Sequence, residues 1–404
     1  MTARQHNHVT DLRGVSRMAI DATTGLVNLV EALQTRIARE PVKAGGPIVE
    51  GAVHSISSLV YGTIRGVTRA VGSGIDTVLA QLSPLLGHME SSPAREALIA
   101  ALNGVLGDYL LETHNPLALD MTLRREGKVL DLAPAALATN IGPQRKKLVV
   151  LAHGLCLNDL QWLRDGHDHG AALARDLGYL PVYLRYNTGL HISTNGAAFA
   201  QQLEALVAAW PEPLESLAIV GHSMGGLVAR SAFHYGTENK HAWQRKLRKL
   251  VFLGTPHHGA PLERGGHWID VLLGVTPYTE PFRRLGRARS AGITDLRHGC
   301  LLDEDWHGRD RFAHGADPRR PLPLPPGVAC FAIAAHLGKG PDELKEHLLG
   351  DGLVPIASAL GRHPDPRFNL DFPPAQQWIA HDTSHLDLLS RPAVYRHIRE
   401  WLDT

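Results

Sequence analysis

Two hydrophobic periods divide the chain. Up to about residue 114, apolar positions recur at helical spacing: Val15, Met18, Ala22, Leu26, Leu29, Leu33 and Ile37 form one stripe, and Val49, Val53, Ile56, Val60, Ile64, Val67, Val71, Ile75, Val78 and Leu82 form a second. Steps of three and four mix so that both stripes follow an eleven-residue period and not a heptad. Pro41 and the Gly45-Gly46-Pro47 cluster separate the two predicted helices. A third is predicted from Ser91 or Ser92 as N-cap, with Pro93 in its first turn, to about Glu112.

From residue 115 the period changes. Leu117, Leu119, Met121 and Leu123 alternate with polar residues, Glu126-Gly127 turns the chain, and Val129, Leu130 and Leu132 follow. This pattern predicts an antiparallel hairpin at a sheet edge. Strand signals at 147–152, 179–186, 217–220, 249–253 and 328–333 then alternate with helical ones, including a helix from Gly196 to Trp210. Such alternation predicts an α/β fold with a mostly parallel sheet and helices on both faces. The expected organisation is an N-terminal all-helical region over 1–114 and an α/β domain over 115–404. Between 259 and 297, Trp268, Ile269, Val271, Leu272, Leu273 and Val275 crowd among glycines ahead of a basic run from Arg283 to Arg289. That segment is expected to be an inserted lid or cap.

Chemistry concentrates at the ends of these strands. The apolar run 217–220 enters Gly221-His222-Ser223-Met224-Gly225, and a helical run leaves it. A serine between a buried strand and a helix sits on a very tight turn, and glycines two residues to either side let the backbones pass. Its hydroxyl is then presented at a helix N-terminus, where the dipole favours negative charge. Upstream, 147–152 runs into His153-Gly154-Leu155; downstream come Gly254-Thr255-Pro256-His257-His258-Gly259, Asp351-Gly352-Leu353-Val354-Pro355 and Ser384-His385-Leu386-Asp387. A serine hydroxyl needs a base within reach and a third group to orient that base. Ser223 is the candidate nucleophile and Asp351 the candidate orienting carboxylate, with His385 or His381 as base. The backbone N–H groups of Met224 and Leu155 are the candidate oxyanion donors.

Together these motifs resemble the lipase and esterase branch of the α/β-hydrolases, in particular bacterial triacylglycerol lipases and GPI inositol-deacylase-like proteins. The resemblance covers about residues 115–404. It implies the α/β-hydrolase fold, a serine ester hydrolase and, through the His-Leu-Asp-Leu-Leu string, His385 as the base. Some members of that branch hold calcium through the aspartate two residues after the histidine, here Asp387. Their glutamine four residues further on is Arg391 in this chain, which argues against that metal.

Composition narrows the field. Forty-one basic against forty acidic side chains leave a formal net charge of +1, which gives no electrostatic footprint for nucleic acid. Three cysteines, Cys156, Cys300 and Cys330, are too scattered for a disulfide framework or a thiolate zinc site. Residues 1–17 carry no apolar signal core, and no uncharged run reaches the roughly 18 residues of a membrane span. A cytoplasmic enzyme needing no cofactor or metal is therefore expected. Its substrate would be a small-molecule or lipid ester with an apolar acyl group; a thioesterase is the close variant. The competing class is a non-catalytic hydrolase-fold scaffold that binds lipid surfaces or proteins through the N-terminal helices. His167 and His169 around Asp168 read as a polar loop with a helix cap. The N-terminal stripes need a surface to cover, either protein, including a second copy, or lipid. A chain beginning near His114 is expected to keep some activity on a soluble short-chain ester while losing self-association or attachment to lipid.

Overall fold

A computed structural model describes residues 93–143, 146–259, 290–309, 317, 319–338 and 350–403. The two N-terminal stripes and most of the 259–297 insertion lie outside these residues. The edge hairpin is present: β1 (Thr122–Arg125) and β2 (Lys128–Val129) pair antiparallel. Glu126 and Gly127 join them with φ of 52° and 73°, the double positive φ that matches strand twist in a two-residue hairpin.

The remaining strands are β3 (Lys147–Ala152), β4 (Leu180–Arg185), β5 (Ser216–His222), β6 (Leu247–Leu253), β7 (Ala329–Ala335) and β8 (Gln377–Ala380). They build one eight-stranded sheet in the order β2-β1-β4-β3-β5-β6-β7-β8. All pairings from β4 to β8 are parallel, so the central strands are buried on both faces and read as continuous apolar runs. Alternate residues of β3 serve opposite layers. Leu148, Val150 and Ala152 face one core with α4 (Ile192–Ala208) and α5 (Met224–Glu238), while Val149 and Leu151 face another with α3 (His169–Leu177) and α9 (Pro392–Asp403). This is the α/β-hydrolase fold. Among the described residues no helix is long and apolar enough to cross a membrane.

The third predicted N-terminal helix is present as α1 (Pro93–Glu112), with a non-helical kink at Leu106. Leu98, Leu102, Val105, Leu106 and Leu110 on it are buried in the same core as β3 and β5. At about 2 kcal/mol for each fully buried leucine side chain, this helix contributes substantially to that core. The division drawn at residue 114 therefore falls inside one packed unit.

Candidate active site

Strand register brings the motifs together. Ala152 lies opposite Gly221 and His222 opposite Leu253, so the loops leaving β3, β5 and β6 open at one edge of the sheet. In parallel α/β sheets this carboxyl edge is where ligands bind. Ala335 lies opposite Ala380, and the Thr383 N–H donates to the His336 carbonyl at 3.0 Å. The loop carrying His385 is thereby tied to the end of β7.

Ser223 stands between β5 and α5 at φ 54° and ψ −125°, as the N-cap of the helix. A non-glycine residue in this sparsely populated region costs on the order of 1–3 kcal/mol and persists only where its surroundings impose it. Here they do: the Ser223 N–H donates to the Leu253 carbonyl at 2.8 Å. The flanking glycines answer to close approach. A Cβ on Gly221 would lie 2.6 Å from the Gly226 Cα, and one on Gly225 would lie 2.2 Å from the Ala152 carbonyl oxygen.

Asp351 is 4% exposed and His385 5%. The His385 Nδ1–H donates to Asp351 Oδ2 at 2.6 Å, while Oδ1 accepts from the N–H groups of Leu353 and Val354 at 2.9 and 2.8 Å. The carboxylate is fixed by three donors, and its bond to Nδ1 leaves the lone pair of the imidazole on Nε2. His385 also lies against the β6 loop, since a Cβ on Gly254 would come within 3.1 Å of its ring. His381 is not brought to Asp351; its ring packs edge-on against His336 at 5.8 Å.

The loop after β3 passes directly beside the serine, because a Cβ on Gly154 would sit 2.9 Å from the Ser223 Cβ. Leu155 follows on this loop, and its neighbour Cys156 spends its N–H on Thr188 Oγ1 at 3.1 Å. Met224 is the first residue of α5, where an N–H has no intrahelical partner. His153 is stacked on Tyr186 at 4.5 Å, its Nδ1–H donates to the Gly154 carbonyl at 2.9 Å, and burial pushes its pKa down to about 4. It is therefore a neutral wall of the site.

His222 was legible only as the variable residue of the serine motif, yet it serves the site. Its Nε2–H donates to the backbone carbonyl of His385 at 3.0 Å, with the two rings 4.7 Å apart. Burial, with the neighbouring His385 adding to it, holds its pKa well below the usual histidine value. The partner lies 163 residues away, so no local signal could have found it. The helical run after the serine starts on Gly226, where a Cβ would meet Thr255 Oγ1 at 2.0 Å.

The other histidines take structural roles. Asp168 caps α3 by accepting from the Ala171 N–H at 2.9 Å, and His169 bridges His167 and the Leu388 carbonyl at 2.8 and 2.9 Å. His257 meets the Arg230 guanidinium at 3.3 Å. Near Asp387, Arg391 places Nη2 3.7 Å from Asp382 and 4.0 Å from Asp387, and donates to the Asp382 carbonyl. A guanidinium thus supplies the positive charge between these two carboxylates. Among the described residues no cluster of three or more His, Cys, Asp or Glu side chains is suited to a metal ion.

The fold defines an α/β-hydrolase domain, in which the candidates Ser223, Asp351 and His385 follow one another in the chain order that the hydrolases of this fold use. Residues 169–317 match the family described as PGAP1-like alpha/beta domain. Among solved structures the chain is similar to the mature form of the Bacillus licheniformis lipase BlEst2, at 17% identity over 65% of this chain and 94% of that one, with a TM-score of 0.42. It is also similar to Aspergillus fumigatus lipase B, at 13% identity over 91% and 83% of the two chains and a TM-score of 0.40. For a Pyrococcus furiosus esterase the values are 14%, 64%, 81% and 0.36. Among curated proteins no match was found.

Proposed function

We propose that this protein is a serine ester hydrolase that cleaves an apolar acyl ester through an acyl-enzyme intermediate. The reading rests chiefly on the buried 2.6 Å pair of His385 and Asp351 together with a serine held at φ 54° on a strand-to-helix turn, whose neighbour His222 bonds the His385 carbonyl. A scaffold that only binds has no need of that arrangement.

In this reading Ser223 Oγ attacks the ester carbonyl while His385 Nε2 takes its proton. Asp351 holds the imidazole in the tautomer with Nε2 free and stabilises the imidazolium that forms. The N–H groups of Met224 and Leu155 receive the oxyanion, each such donor contributing about 3–4 kcal/mol to the transition state. His385 then protonates the departing alcohol, and a water activated by the same base releases the acid. No metal or organic cofactor enters these steps.

The apolar residues of the 259–297 insertion support a lipid-like acyl group. Turnover of p-nitrophenyl esters of graded chain length, with matching acyl thioesters, tests the reading. Esters of medium or long acyl chains are expected to be the better substrates. Absence of turnover across the whole panel, by protein whose fold is intact, would contradict it.

A further inference from the structure

We infer that the helix α1 positions the oxyanion loop, acting through Gly104 and Glu96. This rests on the hydrolase reading above and extends it to a segment that precedes the family match at 169–317.

The loop after β3 is a turn closed by the Leu157 N–H to the Gly154 carbonyl at 3.2 Å, with Cys156 at its third position and φ 61°. A turn with positive φ at that place ordinarily takes glycine. A cysteine stays there only if its surroundings hold it. Two contacts do so. Its N–H is bound by Thr188 Oγ1 at 3.1 Å. Its Sγ fills the notch left by the missing side chain of Gly104, where a Cβ would lie 2.2 Å from Sγ and 3.0 Å from the Cys156 Cα. The thiol has no evident chemical task, since burial pushes its pKa up to about 12.

The far end of the loop is clamped by charge. Asn158 caps the short 3-10 helix Asp159–Trp162, and Asp159 accepts from Arg185 Nε at 2.6 Å and Arg124 Nε at 3.0 Å. Arg185 reaches Glu96 on α1 through Nη1 at 2.6 Å. Glu96, Arg185 and Asp159 are all buried. Removing one member leaves a buried charge without its partner. The helix therefore holds the loop at two points that follow the Leu155 amide, directly at Cys156 and through Arg185 at Asp159.

Gly104→Ala tests this, because alanine is the better helix former and any loss must come from the added Cβ. With p-nitrophenyl butyrate, kcat is expected to fall about tenfold or more while KM stays within about twofold, the signature of a misplaced transition-state donor. Cys156→Gly removes the 2.2 Å clash with Sγ and suits φ 61° but leaves the Cα 3.0 Å from the new Cβ, so Gly104→Ala is expected to cost at least about threefold less in kcat in the Cys156→Gly background than in the wild type. Unchanged kcat in Gly104→Ala, or a loss that Cys156→Gly does not lessen, overturns the inference. Should Gly104→Ala fail to fold, Glu96→Gln, which takes the carboxylate from Arg185, decides: a fall in kcat with KM kept supports the inference, and an unchanged kcat overturns it. A folded wild type that neither turns over the ester nor reacts with a fluorophosphonate at Ser223 would remove the hydrolase reading and this inference together. An active wild type matched by an equally active Gly104→Ala would remove only this inference.

Discussion

Two histidines four residues apart meet different fates in this protein. His385 donates a hydrogen bond from Nδ1–H to Asp351 at 2.6 Å, while His381 faces His336. On the proposed mechanism His385→Ala should lower kcat/KM on a soluble ester by about 10³ or more, and Asp351→Asn by about 10² to 10⁴, because asparagine removes the charge that stabilises the imidazolium. His381→Ala should change it less than about threefold. Steady-state kinetics on the three variants checks this, and the reverse ranking of the histidines would move the base to His381. The candidate Ser223 was legible in a string that leaves a strand end, whereas Asp351 stands sixteen residues beyond the end of β7 and His385 was singled out over His381 by the resemblance of its string. The bond from His222 to the His385 carbonyl and the contact of Gly104 with Cys156 were not legible. Both join residues far apart in sequence, where only the folded register brings them together.

At the scale of elements, local signals located most segments and tertiary partners moved their ends. The alternation from Leu117 predicted a longer first strand, but pairing begins only at Thr122. Asn103 on α1 explains the difference, donating to the Leu117 carbonyl at 2.8 Å and accepting from the Leu119 N–H at 2.9 Å in place of a neighbouring strand. The helix predicted from Gly196 starts earlier, at Ile192. Its polar first turn resembled a loop in sequence, yet Asn195 donates to the Asn187 carbonyl and Ser193 accepts from Trp306 Nε1, both at 2.9 Å. The packing of α1 also changes one expectation. A chain beginning at His114 would lose Leu98, Leu102 and Leu110 from the core and Glu96 from Arg185. It should therefore show no cooperative thermal unfolding, whereas a chain beginning at Ser91 should keep a transition. Calorimetry of the two decides, and equal transitions would make α1 dispensable.

Across the whole molecule, the sheet buries histidines as neutral groups. Burial pushes His153 and His169 down to about 4. A folded pKa below the unfolded value means that the unfolded chain binds the proton first, so stability falls as pH drops from about 6.5 toward about 4, at about 1.4 kcal/mol per pH unit for each group. Urea unfolding between about pH 7 and 4.5 should record this decline, with a shallower slope for His169→Asn; a flat profile would contradict it. The central claim, that this fold presents Ser223 as an activated nucleophile, has a more direct test. A fluorophosphonate reacts only with a serine whose base and oxyanion donors are in place. Mass-spectrometric mapping of the labelled protein should find the adduct on Ser223, with none on Ser223→Ala. An unlabelled wild type of intact fold, or an alanine variant labelled at the wild-type rate, would contradict the account.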